Sequence, residues 1–243
     1  MRILVVSDIH GNRAALEAIR EPFDVCLCLG DIVDYGPEPG PCIDWVQRNA
    51  THCVRGNHDH GVAQNVEVRG ASGFRYLTAV TRPLSISQLT SDQRGYLANL
   101  PTSRMLTLDG KRFLMVHATP RDPMDEYALA EAVEWAGLLK GLKVDFVLVG
   151  HTHQLYSLVV DGITVVNPGS VGLTRNGDPR ATYAIIEDGE VTLKHVDYPI
   201  SQTISALDGF VKDPQAKWML TDLYQGNGLV GRWTAENTIS SEG

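Results

Sequence analysis

Short, uninterrupted apolar runs punctuate the chain, and residues capable of chemistry follow them closely. Ile3-Leu4-Val5-Val6, Val25-Cys26-Leu27-Cys28-Leu29 and Phe146-Val147-Leu148-Val149 have strand length and the continuous apolar character of strands covered on both faces. Thr51-His52-Cys53-Val54 is a shorter run of the same kind. Helical spacing follows several of them. Leu16 and Ile19 share a face within Arg13 to Arg20, and a helix through Ile43-Asp44-Trp45-Val46 follows Pro37, Pro39 and Pro41. A further helix is predicted over Ala128 to Leu139, packed by Leu129, Val133 and Leu138.

The second half reads differently. Asp109-Gly110, Asp161-Gly162 and Asp188-Gly189 are two-residue hairpin turns, the first joining Met105 to Leu108 with Arg112 to Val116. Asn167-Pro168-Gly169-Ser170-Val171-Gly172 reads as a tight turn, although its N–H groups could also face an anion. Strands alternating with helices, then hairpins, predict two mixed sheets packed together with helices outside and polar groups gathered at strand ends. Residues 60–100 depart from this plan. They are polar, with helical patterns around Phe74-Arg75-Tyr76-Leu77 and Tyr96 to Leu100, the second capped by Thr90 or Ser91 and stopped by Pro101. This stretch reads as a helical insertion flanking the site, without chemistry of its own. Ile200 to Gly243 carries a helix near Trp218-Met219-Leu220 and reads as a packing or oligomer-contact appendage with a frayed end.

Composition narrows the function classes. With 243 residues and 43% hydrophobic content, the chain can bury a full core. Its net charge of −8 argues against a nucleic-acid groove, which needs a basic stripe. A small phosphorylated substrate is still compatible with that charge, because a local metal pair can attract it. Cys26, Cys28, Cys42 and Cys53 lie in or beside apolar runs without Cys-x-x-Cys spacing, the pattern of reduced core thiols. Met1-Arg2-Ile3-Leu4 already reads as strand rather than signal peptide, and no apolar run reaches membrane length. A soluble, cytoplasmic protein is the expectation, and a homo-oligomer is compatible with it.

The candidate chemistry sits at the strand ends. Asp8 and His10 are two apart, so on an extended backbone their side chains leave the same face. The competing reading is a polar strand-to-helix turn with Asn12 as N-cap. His151 and His153 repeat the spacing. Asp31, Asn57 and His117 each follow another strand. Any one of these is ordinary turn chemistry; all five strand ends together are not. Oxygen donors mixed with imidazoles suit Mn, Fe, Zn or Ni rather than calcium. Seven donors suit two divalent ions sharing one carboxylate, with Asp31 expected to give one oxygen to each.

Asp8-x-His10, Gly30-Asp31, Gly56-Asn57-His58-Asp59, His117 and Gly150-His151-x-His153 resemble, in order, the motifs of the calcineurin-like metallophosphoesterases, most closely the small bacterial phosphodiesterase branch. The resemblance spans roughly Met1 to Pro199 and implies a four-layer α-β-β-α sandwich, an α/β (α+β) fold, as a metallophosphoesterase domain over 1–199. By this similarity Asp8, His10 and His153 hold one metal, Asn57, His117 and His151 the other, and Asp31 bridges. A metal-bridging hydroxide would attack a phosphodiester or phosphomonoester, with His58 binding a phosphate oxygen or protonating the leaving group. Asp34, in Gly-Asp-x-x-Asp-x-Gly, resembles the carboxylate that orients this histidine in the protein-phosphatase branch, against the plainer reading of a surface Asp. Where that branch places Arg, this chain has Tyr35, so a phosphate-gripping cation is missing and Arg121, Arg175 or Arg180 could substitute. The competing functions are a non-catalytic metal-binding scaffold of the same fold and a nuclease.

Overall fold

A computed structural model describes residues 1–227 of the chain. In chain order the first half runs β1 (Arg2–Val6), α1 (Arg13–Ala18), β2 (Val25–Cys28), α2 (Pro39–Asn49), β3 (His52–Cys53), α3 (Asn57–Ala63), α4 (Gly73–Gln88) and α5 (Ser91–Asn99). The second half runs β4 (Ser103–Leu108), β5 (Lys111–Val116), α6 (Ala132–Leu138), β6 (Phe146–Leu148), β7 (Leu155–Val160), β8 (Ile163–Pro168), β9 (Ala181–Glu187), β10 (Glu190–Val196), α7 (Ile200–Phe210) and α8 (Pro214–Tyr224).

Alternation within the apolar strands builds the layers. Ile3 and Val5 of β1, Val25 and Leu27 of β2, and Phe113 and Met115 of β5 meet Leu148 and Val166 in a buried seam between two sheets. The intervening residues Leu4, Val6, Cys26 and Cys28 face the other way, onto Leu16 of α1 and Ile43 and Val46 of α2. Leu114, Val116 and Val147 likewise face Trp135 and Leu139. The result is two five-stranded mixed sheets, ordered β10-β9-β1-β2-β3 and β4-β5-β6-β8-β7, flanked by helices. The parallel strands β1, β2, β5 and β6 run so that their C-terminal ends gather at one edge. That is where ligands collect in open α/β sheets. All four cysteines are buried and free.

Turn chemistry fixes the hairpins. Asp109, Asp161 and Asp188 sit at φ of 50°, 50° and 53°, each followed by a glycine also at positive φ, as two-residue turns require. The loop 167–172 is a structural brace rather than an anion cradle: Val171 N–H donates to Ser7 O, Gly172 N–H to Asp8 O, and Ser170 Oγ to the same Asp8 carbonyl.

Two helices differ from the sequence pattern. Helix α6 is shorter than predicted, and its packing residues are others: Leu129 and Val133 are exposed while Trp135 is fully buried. The Trp135 indole N–H donates to Leu129 O at 3.0 Å, which folds residues before Ala132 back over the ring instead of into another helical turn. In the C-terminal stretch, α8 contains the predicted Trp218-Met219-Leu220, with Trp218 half exposed, and an unforeseen α7 precedes it. Leu207, Phe210, Leu220 and Leu223 of these helices pack with Tyr35 and Leu77. The end expected to fray lies mostly outside the described residues. Among the described residues no helix is long and apolar enough to cross a membrane.

The brace at 167–172 tolerates no side chain where it presses on residue 9, since a Cβ on Gly172 would overlap the Ile9 carbonyl. Gly172→Ala should destabilise the protein by at least about 1–3 kcal/mol. Gly137→Ala, in a helix with open space around it, should instead add about 0.5–1 kcal/mol. Urea denaturation midpoints of the two variants test this, and equal midpoints would refute the packing argument.

Candidate metal centre

Loops at five strand ends converge on one buried patch, but not by staying extended. Asp8, His10, Asp31, His151 and His153 have φ of 53°, 44°, 53°, 63° and 58°. Left-handed turns therefore replace the extended geometry expected for the Asp8/His10 and His151/His153 pairs. The strand stops at Val6, and its continuation bonds to the loop after β2: Asp8 N–H to Gly30 O, His10 N–H to Asp31 O and Gly11 N–H to Ile32 O. Asn12 does cap α1, its side chain accepting from Ala15 N–H at 3.2 Å. The turn reading of this segment holds, and the same turn carries Asp8 and His10 into the buried patch.

The donors form two buried groups. Asp8, His10 and His153 make one, and Asp31, His117 and His151 the other. Each imidazole of His10 and His117 is oriented by its Nδ1, at 2.9 Å from Val33 O and 2.8 Å from Leu29 O, and His153 Nδ1 bonds Leu173 O. With Nδ1–H committed to carbonyls, the Nε2 atoms face the patch. His10 Nε2 and His153 Nε2 are 3.1 Å apart, a repulsive approach for two lone pairs without a cation between them. Asp8 Oδ1, Asn57 Oδ1, His117 Nε2 and His151 Nε2 are buried without a hydrogen bond. Orphaned donor atoms of this mixed N/O kind fit divalent transition metals. Asn57 brings its oxygen from the first turn of α3, beside Asp31 and His151 on the same cavity wall.

Asp31 differs from expectation in detail. Its Oδ1 accepts from His58 N–H at 2.9 Å, and Oδ2 alone faces both groups, 3.2 Å from His117 Nε2 and 3.9 Å from His10 Nε2. Oδ2 is thus the Asp31 oxygen turned to both groups, while Oδ1 is already engaged by a backbone N–H. The Asp59 carboxylate pins the turn by accepting from Asp31, Ile32 and Gly56 N–H groups. Burial and the Asp31 charge push its carboxyl up to about 7 against those bonds.

Burial, with His153 beside it, drives the His10 imidazole well below its usual value. Burial and His117 bring His151 down to about 4, so these rings are neutral and ready to bind metal. His117 is the exception. Burial would lower it, but the Asp31 carboxylate outweighs burial and raises it to about 10. A proton there occupies ground that a cation would take.

His58 stands apart from both groups. Its Nδ1 lies 2.8 Å from Asp34 Oδ2, and Tyr35 Oη is 3.4 Å from its Nε2. Asp34 is completely buried, not a surface acid, and Tyr35 is buried too. Arg82, overlooked in the sequence, donates from Nε and Nη2 to the same Asp34 oxygen at 2.9 and 2.7 Å. The motifless stretch 60–100 conceals it, and Pro83 next to it reads as a helix stop although α4 runs through.

Of the three candidate arginines, only Arg175 reaches the cavity beside the centre, its guanidinium 4.1 Å above the Phe74 ring. Arg121 pairs with Glu126 and Arg180 with Asp178, both exposed and away from the cavity lining. These local carboxylates occupy the two arginines that sequence alone left open. The cavity holds about 1350 Å³, and Asp31, Asn57, His58, His151 and His153 form its floor.

A family model described as the calcineurin-like phosphoesterase superfamily domain matches residues 1–189. The chain belongs to this superfamily. An uncharacterized protein of Methanocaldococcus jannaschii is 28% identical over 248 residues, covering 92% of this chain and 98% of that protein. Among solved structures, a metallophosphoesterase from Sphaerobacter thermophilus superposes with a TM-score of 0.74 at 31% identity, over 90% of this chain and 98% of that one. A hypothetical protein from Pyrococcus horikoshii shares the fold with a TM-score of 0.78 at 20% identity, over 93% and 99% of the two chains. Membership of the calcineurin-like superfamily, together with two buried donor groups, supports a metal-dependent phosphoesterase.

Because His117 is protonated below about pH 10, metal entering its group must displace that proton. Binding should release about one proton and tighten as pH rises. Titration calorimetry in two buffers of different ionisation enthalpy checks this, and buffer-independent heats would contradict it.

Proposed function

We propose that the protein is a binuclear metal-dependent phosphoesterase acting on a small phosphodiester or phosphomonoester. The observation that carries this reading is the pairing of two buried donor groups around Asp31 Oδ2 with a buried, carboxylate-held His58 at the same cavity floor. Asp8, His10 and His153 would hold one ion, Asn57, His117 and His151 the other, and Asp31 both. Two divalent cations, when bound, supply Lewis-acid charge to phosphoryl oxygens and make water acidic enough to serve as nucleophile. No side chain of this protein is then needed as a covalent nucleophile.

The chain's own part is orientation and proton handling. Carbonyls of Val33, Leu29 and Leu173 keep three imidazoles turned inward. His58, with Nδ1 tied to Asp34, directs Nε2 towards the cavity floor, where it can bind a phosphate oxygen or protonate the departing alkoxide. Arg175 supplies the cation that Tyr35 does not. Its contact over the Phe74 ring holds the guanidinium at the cavity wall, where it can meet an anion. A cavity of about 1350 Å³ leaves room beyond a phosphoryl group for the alcohol side of the ester.

Asp31→Asn should lose metal and activity together. His58→Ala should keep both metals and lose turnover by about 10²–10⁴-fold, the range for a general acid. Elemental analysis beside kinetics on bis-p-nitrophenyl phosphate and p-nitrophenyl phosphate decides between them. Metal loss in His58→Ala, or no turnover of either ester by the metal-loaded wild type, would count against the proposal.

A further inference from the structure

One face of α4 touches the His58 pair by two routes. Phe74, Thr78 and Arg82 recur at four-residue spacing, so they share that face. Thr78 Oγ donates to Tyr35 Oη at 3.0 Å, and Tyr35 Oη lies beside His58 Nε2. On the other side of the ring, Arg82 places two N–H groups on Asp34 Oδ2, the oxygen that holds His58 Nδ1. Arg82 Nη2 and His58 Nδ1 are 3.4 Å apart because both converge on that one acceptor. Arg82 is 7% exposed, and α3 makes room for it with Gly61, where any Cβ would overlap the guanidinium. The same helix gives Phe74, Arg75, Thr78 and Arg82 to the cavity wall.

We propose that Arg82 is a positioning residue: by setting two N–H donors of one guanidinium edge on Asp34 Oδ2 it holds the His58 ring towards the reacting ester, so α4 couples the substrate wall to the catalytic histidine. A carboxylate held by a single hydrogen bond can rotate about its last torsion. Two guanidinium donors on one oxygen remove that freedom and leave the imidazole one place to rest. The inference rests on the hydrolytic reading of the site and on His58 acting within it.

The test uses the full chain loaded with metal, comparing wild type, Arg82→Met, Arg82→Lys, His58→Ala and the Arg82→Met/His58→Ala pair. The readouts are metal content and separate kcat and KM on p-nitrophenyl phosphate and on phenyl phosphate, whose leaving group is poorer. Arg82→Met should keep both metals and a KM near wild type while kcat falls by about tenfold or more, with the larger loss on phenyl phosphate. Arg82→Lys should recover part of kcat, and Arg82→Met should add nothing once His58 is gone. Should Arg82→Met fail to fold, Arg82→Gln, which keeps one donor, is read in the same way. Turnover lost in His58→Ala but retained in Arg82→Met would overturn this inference alone, as would a full additional loss in the pair. Unchanged turnover in His58→Ala would overturn the hydrolytic role of His58 and this inference with it.

Discussion

The convergence of ligands depends on backbone that non-glycine residues ordinarily avoid. Asp8, His10, Asp31, His151 and His153 all take positive φ, which costs roughly 1–3 kcal/mol at each position. Interlocked loops offset this strain. The loop after β1 hydrogen-bonds the loop after β2 at three successive points, Ser170 holds the Asp8 carbonyl, and Asp59 gathers the N–H groups around Asp31. Each such bond contributes about 0.5–1.5 kcal/mol net. Glycines then let the loops approach: a side chain on Gly56 would strike the Asp31 carboxylate, and one on Gly150 would strike Ser7 and Asp8. Extended strands could not have brought these groups so close, because their side chains stand apart in parallel rows.

The electrostatics follow from that crowding. Asp8, Asp31 and four imidazoles are crowded together with almost no exposure to solvent. Burial opposes ionisation of Asp8, yet His153 and His117 keep its carboxyl below the usual range, and His117 and His58 do the same for Asp31. Buried charges of this kind add little to stability, since well-packed apolar side chains would serve the core at least as well. The Asp34–Arg82 pair is a second example. Removing one partner of such a pair costs about 3–5 kcal/mol by stranding the other.

Much of this was legible in the sequence wherever local chemistry decides the outcome. Asp-Gly pairs need positive φ whatever surrounds them, so the hairpins at 109, 161 and 188 were readable, as were the continuous apolar strands. The ordered motifs pointed to residues that the structure gathers into two buried groups. The conformation of the donors was not readable, because a spacing of two is the same in an extended chain and in a left-handed turn. Helix α6 was misjudged by counting Leu129 and Val133 as its packing face, when one indole and its hydrogen bond to Leu129 O set the boundary. Arg82 stayed hidden because its partner is 48 positions away and Pro83 disguises the helix that carries it. Arg121 and Arg180 show the reverse: nearby acids claim them, a competition that residue type alone does not reveal.

The donors come from strand ends in both sheets, whereas α4 gives Phe74, Arg75, Thr78 and Arg82 to the cavity wall. Part of the cavity wall is therefore written in a different passage of the chain from the donors. Exchanges at Phe74 or Arg75 can reshape what the pocket admits while the donor cluster stays as it is. At Arg82 the two passages are stitched together, and drift in the helix there would reach the reaction itself.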